Sequence, residues 1–66
     1  MIVKAWHLNI QNRRHEYNVA YCTDEGEPMY EFRAFSVKEQ AEAKALEMAA
    51  RFSPPLSCYT DALNDL

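Results

Sequence analysis

The chain has 66 residues and a formal net charge of −3, from ten carboxylates against seven Lys and Arg. That length suits one domain, residues 1–66, and no second core, because a chain this short buries only about 60% of its unfolded surface. No apolar run approaches the roughly 20 residues needed to cross a bilayer, and the net negative charge disfavours nucleic acid, whose phosphates supply most non-specific affinity.

From Ile2 to Ile10 the sequence alternates. Ile2, Trp6, Leu8 and Ile10 share one side with Lys4 interrupting, and Val3, Ala5, His7 and Asn9 share the other, which reads as a strand. After the polar break Asn12, Arg13, Arg14 and His15, the residues Tyr17, Val19 and Tyr21 alternate with Asn18, Ala20 and Cys22. Their β-branched and aromatic content favours a second strand. The run Asp24, Glu25, Gly26, Glu27, Pro28 holds the only glycine beside a proline, a turn signal. Tyr30, Phe32 and Ala34 then alternate with Met29, Glu31, Arg33 and Phe35, a third strand that completes an antiparallel meander.

Ser36-Val37-Lys38-Glu39 has the form of a capping box, so a helix is expected from Ser36 through Phe52, ended by Pro54 and Pro55. Val37, Ala41, Ala45, Met48, Ala49 and Phe52 fall on one stripe of that helix, while Lys38 with Glu42 and Glu47 with Arg51 form i,i+4 pairs toward solvent. Residues 56–60 read as a short fourth strand and residues 61–66 as an amphipathic turn carrying Leu63 and Leu66; neither element is fixed by the pattern. The expected fold class is α+β, a three-stranded meander packed by one helix in the order βββα, with that short C-terminal strand as an addition.

One helix covers one face of a sheet. Trp6, Leu8, Tyr17, Val19, Tyr21, Tyr30 and Phe32 form the aromatic set expected beneath it. The second face then holds Val3, Ala5, Ala20, Cys22, Met29 and Phe35 with His7, Asn9, Asn18, Glu31 and Arg33, more apolar than a solvated face requires. It reads either as a docking surface or as an ordinary mixed face of small residues. Leu46, near Ala43 and Ala50, makes a weaker apolar strip on the far side of the helix.

Little points to catalysis or to a metal. Cys22 and Cys58 are the only cysteines, and neither lies near a histidine or a helix N-terminus in the pattern, so both read as small packed hydrophobes. Residues 1–7 show no charged n-region, apolar h-region or cleavage site, which makes a cytoplasmic chain with reduced thiols the expectation. His7 and His15 match no ligand spacing, so no metal or cofactor is expected, and a chain of this size rarely encloses a substrate cleft, so no enzyme is expected.

The segment from Tyr30 to Phe35, followed by Ser36 opening the Ala/Glu-rich stretch to Phe52, resembles many small phage-encoded proteins that inhibit host machinery, including anti-CRISPR proteins and phage inhibitors of host RNA polymerase. The likeness is one of size, acidity and architecture over about two thirds of the chain. Antitoxin and other adaptor domains share the same element order. The resemblance implies a phage or mobile-element inhibitor that occupies the surface of a larger host protein or nucleoprotein complex. The acidic turn Asp24, Glu25, Glu27 with Glu31, and the aromatic residues Tyr30, Phe35 and Trp6, are the candidate binding residues, aromatics being the type that dominates interface energy. The runner-up reading is a nucleic-acid-binding regulator using Arg13, Arg14 and Arg33, and a homodimeric adaptor subunit is a third.

Overall fold

The computed structural model describes residues 1–11 and 14–64. Its elements are strand β1 (Ile2–Ile10), strand β2 (Arg14–Cys22), strand β3 (Pro28–Phe35), helix α1 (Lys38–Ala50), strand β4 (Cys58–Tyr59) and a single 3-10 turn (Asp61–Asn64). The fold is α+β. The sheet order is β3-β2-β1-β4, with β1, β2 and β3 antiparallel and β4 parallel to β1. The short fourth strand is held by a bond from the Val3 amide to the Ser57 carbonyl at 2.9 Å. Leu63, in the 3-10 turn, is buried in the core, whereas Leu66 lies outside the described residues.

The β2–β3 turn forms as its composition dictates. Gly26 has φ +92°, the left-handed region that glycine enters without cost. The Gly26 amide donates to the Thr23 carbonyl, Thr23 donates to the Glu27 carbonyl, and the Thr23 hydroxyl accepts from the Glu27 amide, which closes the loop on itself. Further along, β3 departs from regular pairing between Val19 and Cys22 of β2, and Glu31 there adopts φ +55°. A non-glycine residue rarely takes that conformation outside a bulge or turn.

The helix begins later than the capping-box pattern places it. Val37 is the N-terminal flanking residue, extended at φ −119° and ψ 126°, and no side chain among the described residues caps the first turn. Because Ala41 N–H already closes on the Val37 carbonyl, Ser36 sits one residue too early to reach the free amides, and Val37 is exposed rather than on the core stripe. At the other end the helix stops at Ala50, ahead of the prolines, and Phe52 is partly exposed against Tyr21. Of the two expected surface pairs, Glu47 with Arg51 forms at 2.9 Å. Lys38 instead donates to Asn64 Oδ1 at 2.8 Å, tying the start of the helix to the 3-10 turn.

The face expected to lie under the helix is only partly the one that does. The core consists of Val3, Ala5, Val19, Tyr21, Ala41, Ala45, Met48, Ala49 and Leu63, with Tyr17 and Phe35 packed at its margin. Trp6, Leu8 and Phe32 belong to the opposite face, and Val3, Ala5 and Phe35 change places with them. The reason is steric. The buried stripe of α1 is Ala41, Ala45, Met48 and Ala49, three of them alanines, so the helix approaches the sheet closely and only small side chains fit beneath its centre.

Candidate functional site

The strand register places alternate residues of β1 and β2 on the face away from α1. Ile2 pairs with Cys22, Lys4 with Ala20, Trp6 with Asn18, Leu8 with Glu16, and Ile10 with Arg14. Ala34 of β3 joins through its pairing with Asn18, and Tyr59 of β4 through its pairing with Lys4. Phe32 follows two residues before Ala34 and meets Trp6 edge-on across β2, ring centroids 5.5 Å apart at 74°. Leu8, Ile10, Phe32 and Tyr59 are each at least 39% exposed, so one side of the sheet presents aliphatic and aromatic groups together.

Under this surface lies Asn18. Its side chain is fully buried, and neither its Oδ1 nor its Nδ2 has a hydrogen-bond partner among the described residues. A buried amide left unsatisfied costs about 1–3 kcal/mol. Nothing in the alternation singles Asn18 out; its isolation follows from being on the central strand between Trp6 and Phe32. A hollow of about 320 Å³ opens between Lys4, Trp6, Gly26, Pro28 and Ala62.

Charge is segregated along the strands. Asp24, Glu25 and Glu27 are exposed at the β2–β3 turn, and Arg14 is exposed at the opposite end of β2. The N-terminal ammonium of Met1 pairs with Asp24 at 2.7 Å, which leaves Glu25, Glu27 and Arg14 without an ion-pair partner among the described residues.

The seven residues singled out in the sequence therefore divide. Asp24, Glu25 and Glu27 form one acidic end, and Trp6 sits at the centre of the open face. Glu31 points the other way, where it pairs with Arg51 of the helix end. Glu31 and then Glu47 hold that guanidinium protonated far above its ordinary range, and Arg51 together with Lys44 pulls the Glu47 carboxyl below its own. Phe35 is half-buried against the core, and Tyr30 packs at a tilt against Tyr21, ring centroids 4.9 Å apart, while its hydroxyl donates to the Met1 sulfur. Neither Glu31 nor Phe35 belongs to the open face. Leu46 is 57% exposed on the outer side of the helix. Of the basic set, Arg13 lies outside the described residues, and Arg33 is opposite Val19, five positions along β2 from Arg14, so the two described arginines do not line one groove.

Cross-strand register also creates a cluster that linear spacing hides. His7 and His15 stack at 4.9 Å, with His7 Nε2 and His15 Nδ1 2.8 Å apart, and Tyr17 stacks on His7 at 4.7 Å. One imidazole nitrogen donates and the other accepts. Among the described residues no group of three or more His, Cys, Asp or Glu side chains converges as a metal site requires. Both cysteines are free thiols; burial pushes Cys22 up in pKa, partly offset by Lys4, and burial with the charge of Glu42 does the same to Cys58. A raised thiol pKa opposes nucleophilic use at neutral pH.

No family model, no curated protein and no solved structure matches this chain. Among the described residues no helix is long and apolar enough to cross a membrane.

Proposed function

We propose that the chain is a small protein-interaction module that docks through the sheet face its helix leaves uncovered. The observation that supports this is the gathering of Leu8, Ile10, Phe32 and Tyr59, all substantially exposed, around Trp6 on that single face. Such a surface gains by burial about 25 cal/mol per Å2 of apolar area, and its aromatic members are the residue types that anchor interfaces. The acidic turn gives the rim a preference for a basic counterpart. Action is steric: the module occupies a partner's surface, the manner in which a phage or mobile-element inhibitor blocks a larger host protein.

Site-specific photo-crosslinking tests the reading. With the crosslinker at Leu8 or Phe32, protein adducts are expected, and with it at Glu42 on the solvent side of the helix they are not. Adducts confined to Glu42, or none from the sheet face, overturn it.

A further inference from the structure

The open face has a property that the interaction reading does not require: it is complementary to itself. Trp6 is the fifth of nine residues in β1 and Asn18 the fifth of nine in β2, and the two are paired, so one row marks the midpoint of both strands. Acidic groups lie beyond one end of this row and a basic group beyond the other. Pro28 pairs with Cys22, which sets Glu27 just past that end of β2, while Arg14 begins the strand at the other.

Consider a two-fold axis between two such faces, perpendicular to the strands and passing through the Trp6–Asn18 row. It reverses the strand direction of the second copy. Arg14 of each copy then faces the partner copy's acidic turn, and Lys4, one row toward the acidic end, faces the row of Leu8 and Glu16. Both charge contacts are formed twice. The unsatisfied Asn18 comes to lie near the axis, where a carboxamide meets its own copy and can exchange two hydrogen bonds, N–H to C=O in each direction. Packed sheets are about 10 Å apart, which two asparagine side chains of roughly 3.5 Å reach span with a hydrogen-bond gap of about 3 Å. Asn18 is fully buried beside the Trp6–Phe32 ring contact, so the dimer requires the half-exposed Phe32 ring to change rotamer and uncover the amide, a side-chain change of the kind interfaces commonly require.

We infer that the occupant of this face is a second copy of the chain, in an isologous two-fold dimer centred on Asn18. The inference rests on the interaction reading and names its partner. Its strength follows from its size. Three strands of about nine residues make a face of roughly 30 by 14 Å, and two such faces bury about 840 Å2, the size of a weak, transient interface, so dissociation in the micromolar range or weaker is expected.

The test is sedimentation equilibrium of the whole chain from micromolar to millimolar concentration, with circular dichroism on each variant to verify folding. The wild type is expected to pass from monomer to dimer and no further. Arg14→Glu is expected to weaken the dimer about tenfold, since it opposes like charges at two symmetric contacts. Adding Glu27→Lys to Arg14→Glu restores attraction within the same dimer and is expected to recover most of that loss. A monomer at all concentrations, an open-ended series of oligomers, or a double variant no tighter than the single overturns the inference. The two readings fail separately: a monomer that still crosslinks to a different protein through Leu8 or Phe32 removes the dimer and keeps the interaction module, whereas a monomer with no sheet-face adducts removes both.

Discussion

The Tyr21 hydroxyl donates a buried hydrogen bond of 2.7 Å to the carbonyl of Met48, joining the central strand of the sheet to the last turn of the helix. Met48 is itself fully buried, and its carbonyl also accepts from the Arg51 amide at 3.4 Å. This bond fixes the height of the helix end over β2. Tyr21→Phe keeps the ring and its contacts with Tyr30 and Phe52 while removing the donor. The expected loss in urea unfolding is about 1 kcal/mol. A change below the error of the measurement would show that the bond adds nothing net.

Asn18 supports the opposite expectation. Leucine has the same branching at Cγ and no polar atoms, so Asn18→Leu removes two unsatisfied groups from a buried site. At protein concentrations low enough for the monomer, unfolding stability is expected to rise by about 1–2 kcal/mol. Destabilisation would mean that the amide finds a partner within the folded monomer.

Glu31 combines a left-handed backbone with an ion pair to Arg51. The pair is partly exposed and screened by solvent, so it adds little, while the left-handed conformation costs an L-residue about 1–2 kcal/mol. Glu31→Gly gives up the first and relieves the second, so its stability is expected to remain within about 1 kcal/mol of the wild type. Glu31→Val loses the pair and adds β-branching at φ +55°, for an expected cost above about 2 kcal/mol. Equal effects from the two substitutions would remove backbone strain as the deciding factor.

The two thiols make a prediction about pH. Both have folded-state pKa values raised, chiefly by burial, because the thiolate is disfavoured away from water. Their contribution to stability is therefore fully present below the unfolded thiol value of about 8.5 and is lost as pH rises through the higher folded values. Urea midpoints are expected to hold from pH 7 to 8 and to fall between pH 9 and 10. A double variant, Cys22→Ala with Cys58→Ala, should flatten part of that fall; an identical slope would assign the whole decline to other groups.

Gly26 provides a local control. Its added Cβ would meet only the end of Lys4 at ordinary contact distance, so space is not limiting. Gly26→Ala is expected to cost about 1–2 kcal/mol through the φ of +92° alone, and a Lys4→Ala background should not rescue it.

How much of this was legible in the sequence differs between levels. Period-two alternation in residues 2–10 and 17–22, the single Gly-Pro turn region and the Ala/Glu-rich stretch determine three strands, their meander and one helix, because each signal is local to the element it forms. The acidic end of the sheet was equally legible, since Asp24, Glu25 and Glu27 occupy one turn. Alternation separates a strand into two sides but does not say which side is covered. That choice was made by the alanines of α1, which admit Val3, Ala5 and Val19 beneath them and leave Trp6, Leu8 and Phe32 on the open face. Ser36 showed the same limit at the scale of one residue, where the extended backbone of Val37 moved the helix start past its cap. The orphaned amide of Asn18, the His7–His15 stack and the ion pair of Glu31 with Arg51 depend on strand register and on a bulge in β3, which arise only when distant segments pair. Local chemistry thus determined the elements and where their charges lie. Tertiary packing alone decided which face is open, because that depends on how closely one particular helix approaches one particular sheet.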